Sequence, residues 1–161
     1  MRILGIDPGL EITGYGCISI HDGGINFNEA GVIRTKKSDD LPVRLTELYE
    51  SFTEILKEFE PGVVVIEDLY THYNFPKTAI IMGHARGTLI LAAGRKSIQV
   101  VSYSATRIKK SLTGNGHASK EQMQRMIMSL LGMAEPPSPP DIADALGTAL
   151  CHANVVNRVS F

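Results

Sequence analysis

Apolar residues fall into short runs over most of the first 67 residues, separated by one longer stretch with a different spacing. Runs of four to eight residues that contain β-branched or aromatic side chains, bounded by Gly, Asp or Pro, are typical of β-strands. Four such segments predict strands, at 2–7, 13–20, 25–35 and 62–67. The turn residues Asp22, Gly23 and Gly24 join the second strand to the third. The fourth, in which the four residues 63–66 are all β-branched and apolar, is typical of a strand in the parallel part of a sheet.

Elsewhere the spacing of apolar residues is helical. After Asp40 and Pro42, which are start signals for a helix, the apolar residues recur every three or four positions and form one stripe. The stripe consists of Leu41, Leu45, Leu48, Phe52, Ile55, Leu56 and Phe59. The second half of the chain predicts a helix over 76–94, a strand over 98–102, helices beginning at Ser104 and Ser119, and a final helix over 141–157.

This order of elements predicts an α/β fold, in which a three-stranded meander is extended by parallel strands into a mixed five-stranded sheet with helices on both faces. The final helix follows a stiff connection rich in proline, and most of its side chains are small and apolar, so we expect it to pack on the sheet. No internal repeat, low-complexity tract or linker interrupts the chain. Residues 1–161 are therefore expected to form a single domain.

Composition narrows the class of protein. Hydrophobic residues make up 43% of the chain, enough for a packed core. Cys17 and Cys151 lie in separate apolar elements and lack the paired spacing of a zinc site, so we expect two buried free thiols and a reducing, cytoplasmic setting. The chain opens directly into a strand-like run with no signal peptide, and its longest apolar stretch contains His84 and Arg86, which argues against a membrane span.

The net charge of −1 conceals a strong segregation of charge along the chain. Residues 1–69 hold six basic and thirteen acidic side chains, whereas residues 70–134 hold nine basic side chains and one acidic, Glu121. A positive segment of this kind can form a surface that binds a polyanion such as nucleic acid. The alternative interpretation is a set of ordinary solvated helix surfaces.

Four carboxylates stand at the ends of predicted elements. Asp7 ends the first strand and Glu67 ends the strand at 62–67, and ligands of α/β proteins bind at this edge of a sheet. Asp141 and Asp144 are three residues apart and share one face of the final helix. Taken singly, each also fits a turn, a strand end or the first turn of a helix, where acidic residues are common.

Taken together, the four carboxylates predict a metal site. If the first and fourth strands are neighbours, Asp7 and Glu67 lie side by side, and the final helix adds Asp141 and Asp144. Carboxylates that close repel one another unless a cation holds them. Oxygen ligands without a His or Cys cluster suit Mg²⁺, with Mn²⁺ as a substitute, and a pair of such ions is a common arrangement for phosphodiester hydrolysis.

The chain also resembles a known family over nearly its whole length, in a series of short motifs that occur in order. It is similar to the RuvC-type Holliday-junction resolvases, which are crossover junction endodeoxyribonucleases. The motifs are Gly5-Ile6-Asp7-Pro8-Gly9, Thr13-Gly14-Tyr15-Gly16, Ile66-Glu67, Gly83-His84-Ala85-Arg86-Gly87, Lys109 with Gly114-Asn115-Gly116, Lys120, and Asp141-Ile142-Ala143-Asp144-Ala145-Leu146.

The resemblance implies a ribonuclease-H-like fold, a homodimer, and paired symmetrical nicks in a four-way DNA junction during recombination and repair. It implies that Asp7, Glu67, Asp141 and Asp144 are the catalytic, metal-binding carboxylates. It further implies DNA contacts by a basic and aromatic set, namely Tyr70, Lys109, Lys110 and Lys120. The family's partners are a junction-binding protein and a branch-migration motor.

Three other functions remain as alternatives. A ribonuclease-H-like nuclease acting on structured RNA would use the same carboxylates. Actin-like sugar kinases and ATPases share the Gly-Ile-Asp-x-Gly strand, but they need a second domain to enclose the nucleotide. A nucleic-acid-binding module without catalysis would gain nothing from acidic residues, which weaken binding to phosphates unless a cation offsets them.

Overall fold

The computed structural model describes residues 1–22, 24–69 and 76–159, and Gly23 of the predicted turn lies outside these ranges. The described elements follow the predicted order, and each lies within two residues of its predicted bounds. The strands are β1 (Arg2–Asp7), β2 (Ile12–His21), β3 (Gly24–Arg34), β4 (Val63–Glu67) and β5 (Gln99–Tyr103). The helices are α1 (Leu41–Phe59), α2 (Pro76–Arg95), α3 (Ala105–Thr113), α4 (Lys120–Leu131) and α5 (Pro140–Val159).

The five described strands form one mixed sheet in the order β3-β2-β1-β4-β5. Strand β1 runs antiparallel to β2 and parallel to β4, and β4 runs parallel to β5. A meander is thus extended by two parallel strands, which confirms the predicted architecture. The first and fourth strands are neighbours, with Ile6 opposite Ile66.

Alternate side chains of the central strands enter two separate cores, one on each face of the sheet. Ile3 and Val65 pack beneath α3, α4 and α5, whereas Leu4 and Ile66 pack beneath α1 and α2. Each of these side chains is almost completely buried, and burial of a Leu or Ile side chain contributes about 1.5–3 kcal/mol. Helices therefore cover both faces, as predicted.

The apolar stripe of α1 is buried over its later turns only. Leu48, Phe52, Ile55 and Leu56 are buried, which confirms the helical periodicity. Leu41, however, is 37% exposed. Leu41 is the first residue of the helix, and only the later turns lie against the sheet.

Local predictions about the cap of α4 and about the cysteines are confirmed. Ser119 Oγ accepts from the Gln122 N–H, and Gln122 Oε1 accepts from the Ser119 N–H, at 3.2 Å and 2.9 Å. Cys17 and Cys151 are buried free thiols. None of the described helices combines the length and the apolarity that crossing a lipid bilayer would require.

Candidate active site

Asp7 and Glu67 end two neighbouring parallel strands. Ile6 of β1 lies opposite Ile66 of β4, so the next residue of each strand stands at the same edge of the sheet. Side chains alternate along a strand, so Asp7 shares a face with Ile3, and Glu67 shares a face with Val65. Both Ile3 and Val65 belong to the core beneath α5. The two carboxylates therefore project toward the face of the sheet that α5 covers.

Three glycines let α5 approach the sheet closely. A Cβ at Gly5 would meet the Ala145 carbonyl oxygen and lie 2.7 Å from the Ala149 nitrogen. At Gly16 it would lie 2.5 Å from Leu146 Cδ2, and at Gly14 it would meet the backbone of Asp141. The absence of side chains at Gly5, Gly14 and Gly16 therefore allows α5 to pack directly against the sheet.

This close packing on the glycines fixes the position of the acidic end of α5. Gly14 pairs with Asp7 across the β1–β2 ladder, and the helix residue above Gly14 is Asp141. One turn along the helix, Asp144 follows. The structure thus brings Asp141 and Asp144 to the strand ends that carry Asp7 and Glu67, as the sequence predicts.

Burial and mutual repulsion change the acidity of these groups. The pKa of Asp7 rises to about 7, because the carboxyl is buried and because Asp144, Glu67 and Asp141 lie near it, while Lys120 opposes the rise. The pKa of Glu67 is raised by burial and by Asp144, and Lys109 opposes that shift. Asp7 is thus partly protonated near neutral pH when no cation is bound.

Asp144 lies at the more open side of the cluster, where lysines partly balance it. Residue 144 as a whole is exposed, but its carboxyl group is partly buried. This burial raises the pKa of Asp144, and Asp141 raises it further, whereas Lys120 and Lys109 lower it. Glu67, Asp144, Lys109 and Lys120 line one cavity of about 200 Å³ between the sheet, α3, α4 and α5. Two acidic and two basic side chains therefore face a common space.

The remaining predicted residues are placed differently. Lys110 is exposed on α3 and does not line this cavity. Asp141 lines a separate groove of about 490 Å³ formed by the loop 9–12 and the first turns of α2, together with Lys37 and Arg44. The cluster therefore separates two recesses, with Asp144 on one side and Asp141 on the other. Tyr70 lies outside the described residues.

Sequence reasoning missed the surroundings of the second groove, and it did not assign Arg86 a specific bonding partner. Lys37 and Arg44 belong to the acidic first third of the chain, so the charge count gave no signal of a basic pair beside Asp141. Arg86 bonds to the backbone of Glu67 and to the Ser102 hydroxyl. A signal for Arg86 did exist, since a cation within an apolar helix needs a partner.

Chemically, the cluster suits a hard divalent cation. Among the described residues, no three Asp, Glu, His or Cys side chains converge closely enough to hold a metal ion as they stand. The carboxylates do lie near enough to raise the pKa of Asp7, and all their donors are oxygens. Such a set fits Mg²⁺ or Mn²⁺, because a divalent cation would offset the mutual repulsion of the carboxylates.

Comparison with known proteins shows a similarity to one family that extends over nearly the whole chain. The family model of the crossover junction endodeoxyribonuclease RuvC matches residues 3–152. The RuvC crossover junction endodeoxyribonuclease of Rhodopirellula baltica is 43% identical over 156 residues, which are 97% of this chain and 88% of that protein. The match includes β1, β4 and the part of α5 that carry the four carboxylates.

Solved structures of RuvC also match nearly the whole chain, at lower sequence identity. The structure of Thermus thermophilus RuvC has a TM-score of 0.91 and 30% identity, and covers 99% of this chain and 97% of that one. T. thermophilus RuvC in complex with a Holliday junction substrate has a TM-score of 0.92 and 29% identity at the same coverage. The fold therefore matches that of a protein solved with a four-way junction.

Proposed function

Because this chain belongs to the RuvC family of crossover junction endodeoxyribonucleases, we propose that it resolves four-way DNA junctions in recombination and repair by paired symmetrical nicks. The observation that carries this proposal is the cluster of Asp7, Glu67, Asp141 and Asp144, seated within a family match that runs from residue 3 to residue 152. Structured RNA, the alternative substrate, finds no support in relatives that are named for DNA.

In this proposal the four carboxylates are the catalytic residues and hold the divalent cation that the family requires, with Mg²⁺ as the cation and Mn²⁺ as a substitute. Two ions held there would supply positive charge beside the attacked phosphate and the leaving oxygen. The carboxylates would also orient the attacking water beside the bound cations. The apolar side chains beneath α5 keep other water from the buried side of the cluster.

Lys109 and Lys120 are proposed to contact the DNA phosphates beside the scissile bond. Both line the cavity that contains Glu67 and Asp144, so a phosphate bound there meets positive charge next to the carboxylates. Lys110, exposed on the same helix as Lys109, is placed to contact the backbone outside the cavity. Tyr70, in the segment between β4 and α2, is proposed to contact bases at the junction centre.

Replacing Lys109 or Lys120 with Ala is expected to weaken junction binding and to reduce its dependence on salt. Removal of one lysine–phosphate interaction lowers the slope of log K against log salt by about one unit. Binding titrations in Ca²⁺ at several salt concentrations measure both quantities. Lys96→Ala, which removes an exposed lysine beyond the end of α2, is the matched control. Equal slopes in all variants would show that the two lysines do not contact phosphates.

We further propose that α2 pairs with the same helix of a second copy. Its exposed side chains include Ile80 at 60% and Leu91 at 58%, and His84 and Gly87 lie between them on the same face at intervals of four, three and four residues. A Cβ at Gly87 would meet no atom within 4 Å, so a neighbouring helix can approach there. A two-fold enzyme also suits a substrate that is cut at two symmetrical positions.

Leu91→Glu is expected to shift the protein from dimer to monomer in sedimentation experiments. A charge placed in the proposed apolar interface costs about 2 kcal/mol or more, which weakens the dimer at least about 30-fold. Leu130→Glu, at an exposed apolar position of α4, is the matched control and is expected to remain dimeric. A parent protein that is monomeric at every concentration and still makes paired nicks would refute the dimer.

The wider setting of the protein follows from the same proposal. We infer that residues 1–161 act as one nuclease domain in the cytoplasm, which the two buried free thiols support. A junction-binding protein and a branch-migration motor are the expected partners, because they bring a mobile junction to the nuclease.

The function is tested by cleavage assays with Mg²⁺ on a four-way junction, a linear duplex of the same sequence and a structured RNA. We expect paired nicks at symmetrical positions of the junction and little cutting of the other two substrates. Preferential cutting of the RNA would favour the alternative nuclease. Junction binding with no cutting in Mg²⁺ or Mn²⁺ would indicate a binding module without catalysis.

A further inference from the structure

Arg86 of α2 reaches across the end of β4 and binds three groups there. Its Nε donates to the Glu67 carbonyl oxygen at 3.3 Å, and its Nη2 donates to Ser102 Oγ at 2.7 Å. The same Nη2 lies 3.5 Å from Asp68 Oδ1. Only 21% of the arginine side chain is exposed. The guanidinium thus joins the last residue of β4, the residue after it and the neighbouring strand β5.

Arg86 makes these contacts on the face of the sheet opposite the carboxylate cluster. The Glu67 carboxylate projects toward α5, as described above, whereas α2 packs on the opposite face against Leu4 and Ile66. Arg86 therefore touches the backbone of Glu67 and leaves its carboxylate free. The pKa of Glu67 is raised by burial, Asp144 and Asp68 and is lowered by Lys109, which lies on the α5 side of the sheet.

The end of β4 needs such support for two reasons. The sheet ladder ends here, with the Asp68 N–H donating to the Tyr103 carbonyl at 2.9 Å, and strand ends open more readily than strand centres. In addition, the Glu67 carboxylate is repelled by Asp144. An unsupported strand end would move away from that repulsion and carry the carboxylate out of reach of a shared cation.

We propose that Arg86 is a positioning residue for the nuclease reaction, which clamps the end of β4 from behind so that the Glu67 carboxylate stays in the cluster. This inference rests on the proposed function, since it assigns Glu67 a place in the cation site. The clamp requires an arginine, because one rigid fork reaches both the carbonyl and the Ser102 hydroxyl. A lysine keeps the charge but cannot hold both groups in fixed directions.

The clamp also fixes the start of the segment that leads to α2. Leu69 Cδ1 lies 3.9 Å from the position of a Cβ at Gly83, one turn before Arg86 on the same helix. Residues 67 and 68 are therefore bound to α2 by the guanidinium, and the Leu69 side chain lies beside Gly83.

The test compares Arg86→Gln with Arg95→Gln, which removes an exposed arginine at the end of the same helix. We expect Arg86→Gln to lower the single-turnover rate of junction cleavage roughly 10- to 100-fold, as loss of support for a metal ligand commonly does. The dissociation constant for the junction, measured in Ca²⁺, should stay within about twofold, because the substitution leaves the lysines that bind phosphate in place. Arg95→Gln should match the parent in both measurements.

A second readout does not depend on cleavage. Calorimetric titration of the DNA-free protein with Mn²⁺ is expected to show about tenfold weaker binding for Arg86→Gln than for Arg95→Gln. A higher Mg²⁺ concentration should recover part of the cleavage rate. A folded Arg86→Gln variant with parental Mn²⁺ affinity and parental cleavage rate would overturn the proposal.

Two milder variants keep the test valid if Arg86→Gln does not fold. Ser102→Ala removes the shortest of the three hydrogen bonds and leaves the arginine in place, and Arg86→Lys keeps the charge without the planar guanidinium. Both are expected to show smaller losses of rate and Mn²⁺ affinity in the same direction, and parental values in both would overturn the clamp. If the parent protein fails to cut junctions, the proposed function fails, while the Mn²⁺ titrations still decide the role of Arg86.

Discussion

Asp7→Asn is expected to abolish junction cleavage and to leave junction binding intact. The substitution keeps the size of the side chain but removes the charge at the centre of the cluster, where Asp7 lies near Glu67, Asp141 and Asp144. Loss of this ligand would weaken the hold on the cation that stabilises the transition state, and loss of one stabilising interaction of that kind costs roughly 10²- to 10³-fold in rate. The lysines that attract the phosphates are unchanged, so binding in Ca²⁺ should equal or slightly exceed that of the parent.

The control for this variant is Asp22→Asn, which removes one negative charge at the turn after β2, at the end of the sheet remote from Asp7. Asp22 has φ of 50°, a conformation that Asn adopts readily, so the substitution is not strained. A folded Asp7→Asn protein that cuts junctions at a near-parental rate would remove the basis of the catalytic assignment. Asp7 would then be only the first residue of an Asp-Pro-Gly turn.

The same variant has a predicted effect on stability. The pKa of Asp7 is about 7 in the folded protein and 3.8 in its ordinary state, so the ionised carboxylate destabilises the fold at high pH. Without divalent cations, Asp7→Asn should therefore unfold at a higher temperature than the parent above pH 7. The difference should shrink as the pH falls from 7 to below 3.8, where the parent carboxyl becomes protonated in both the folded and the unfolded state. Thermal melts in EDTA over this range measure it.

Gly5→Ala is expected to damage both the stability and the cleavage activity. The added Cβ would meet the Ala145 carbonyl oxygen and lie 2.7 Å from the Ala149 nitrogen. These are backbone atoms of α5 and cannot rotate away, so the helix must move off the sheet. Overpacking of this kind costs about 1–3 kcal/mol of unfolding free energy, and backbone contacts place Gly5 at the upper end.

The effect on cleavage follows from the position of α5. The helix carries Asp141 and Asp144, and a shift of about 1 Å at a catalytic group costs roughly 10²-fold in rate. Gly147→Ala is the matched control on the same helix, because a Cβ there would make ordinary contacts, the shortest being 3.4 Å to the flexible Met123 Cε. It should be neutral or stabilising by up to about 1 kcal/mol. Equal melting temperatures and cleavage rates for both variants would contradict the conclusion that α5 packs closely on Gly5.

Both predictions depend on one feature of the fold, which is that the site is assembled from the ends of elements distant in sequence. Asp7 and Glu67 are held by the β1–β4 ladder, while Asp144 is held by the packing of α5 on glycines. The cavity beside them adds Lys109 and Lys120 from two further helices. A change in packing at α5 should therefore reach the chemistry without altering any carboxylate.

The sequence by itself determined the order, type and approximate bounds of the elements. Hydrophobic periodicity, caps such as Ser119 and the prolines near the start of α5 act over a few residues, so they can be read locally. It also placed Asp7 and Glu67 at strand ends. The adjacency of those strands was an assumption that only the parallel ladder between β1 and β4 established.

Only the tertiary structure decided which faces and which neighbours the functional side chains have. The direction of a side chain depends on how its element packs, which is why Lys109 lines the cavity and the adjacent Lys110 does not. The same reason places Asp141 in a groove with Lys37 and Arg44, and places Arg86 behind Glu67. In the sequence, Gly5 and Gly14 are only parts of a motif. The structure shows why glycine is needed there, because α5 packs so closely on both residues that a side chain would not fit.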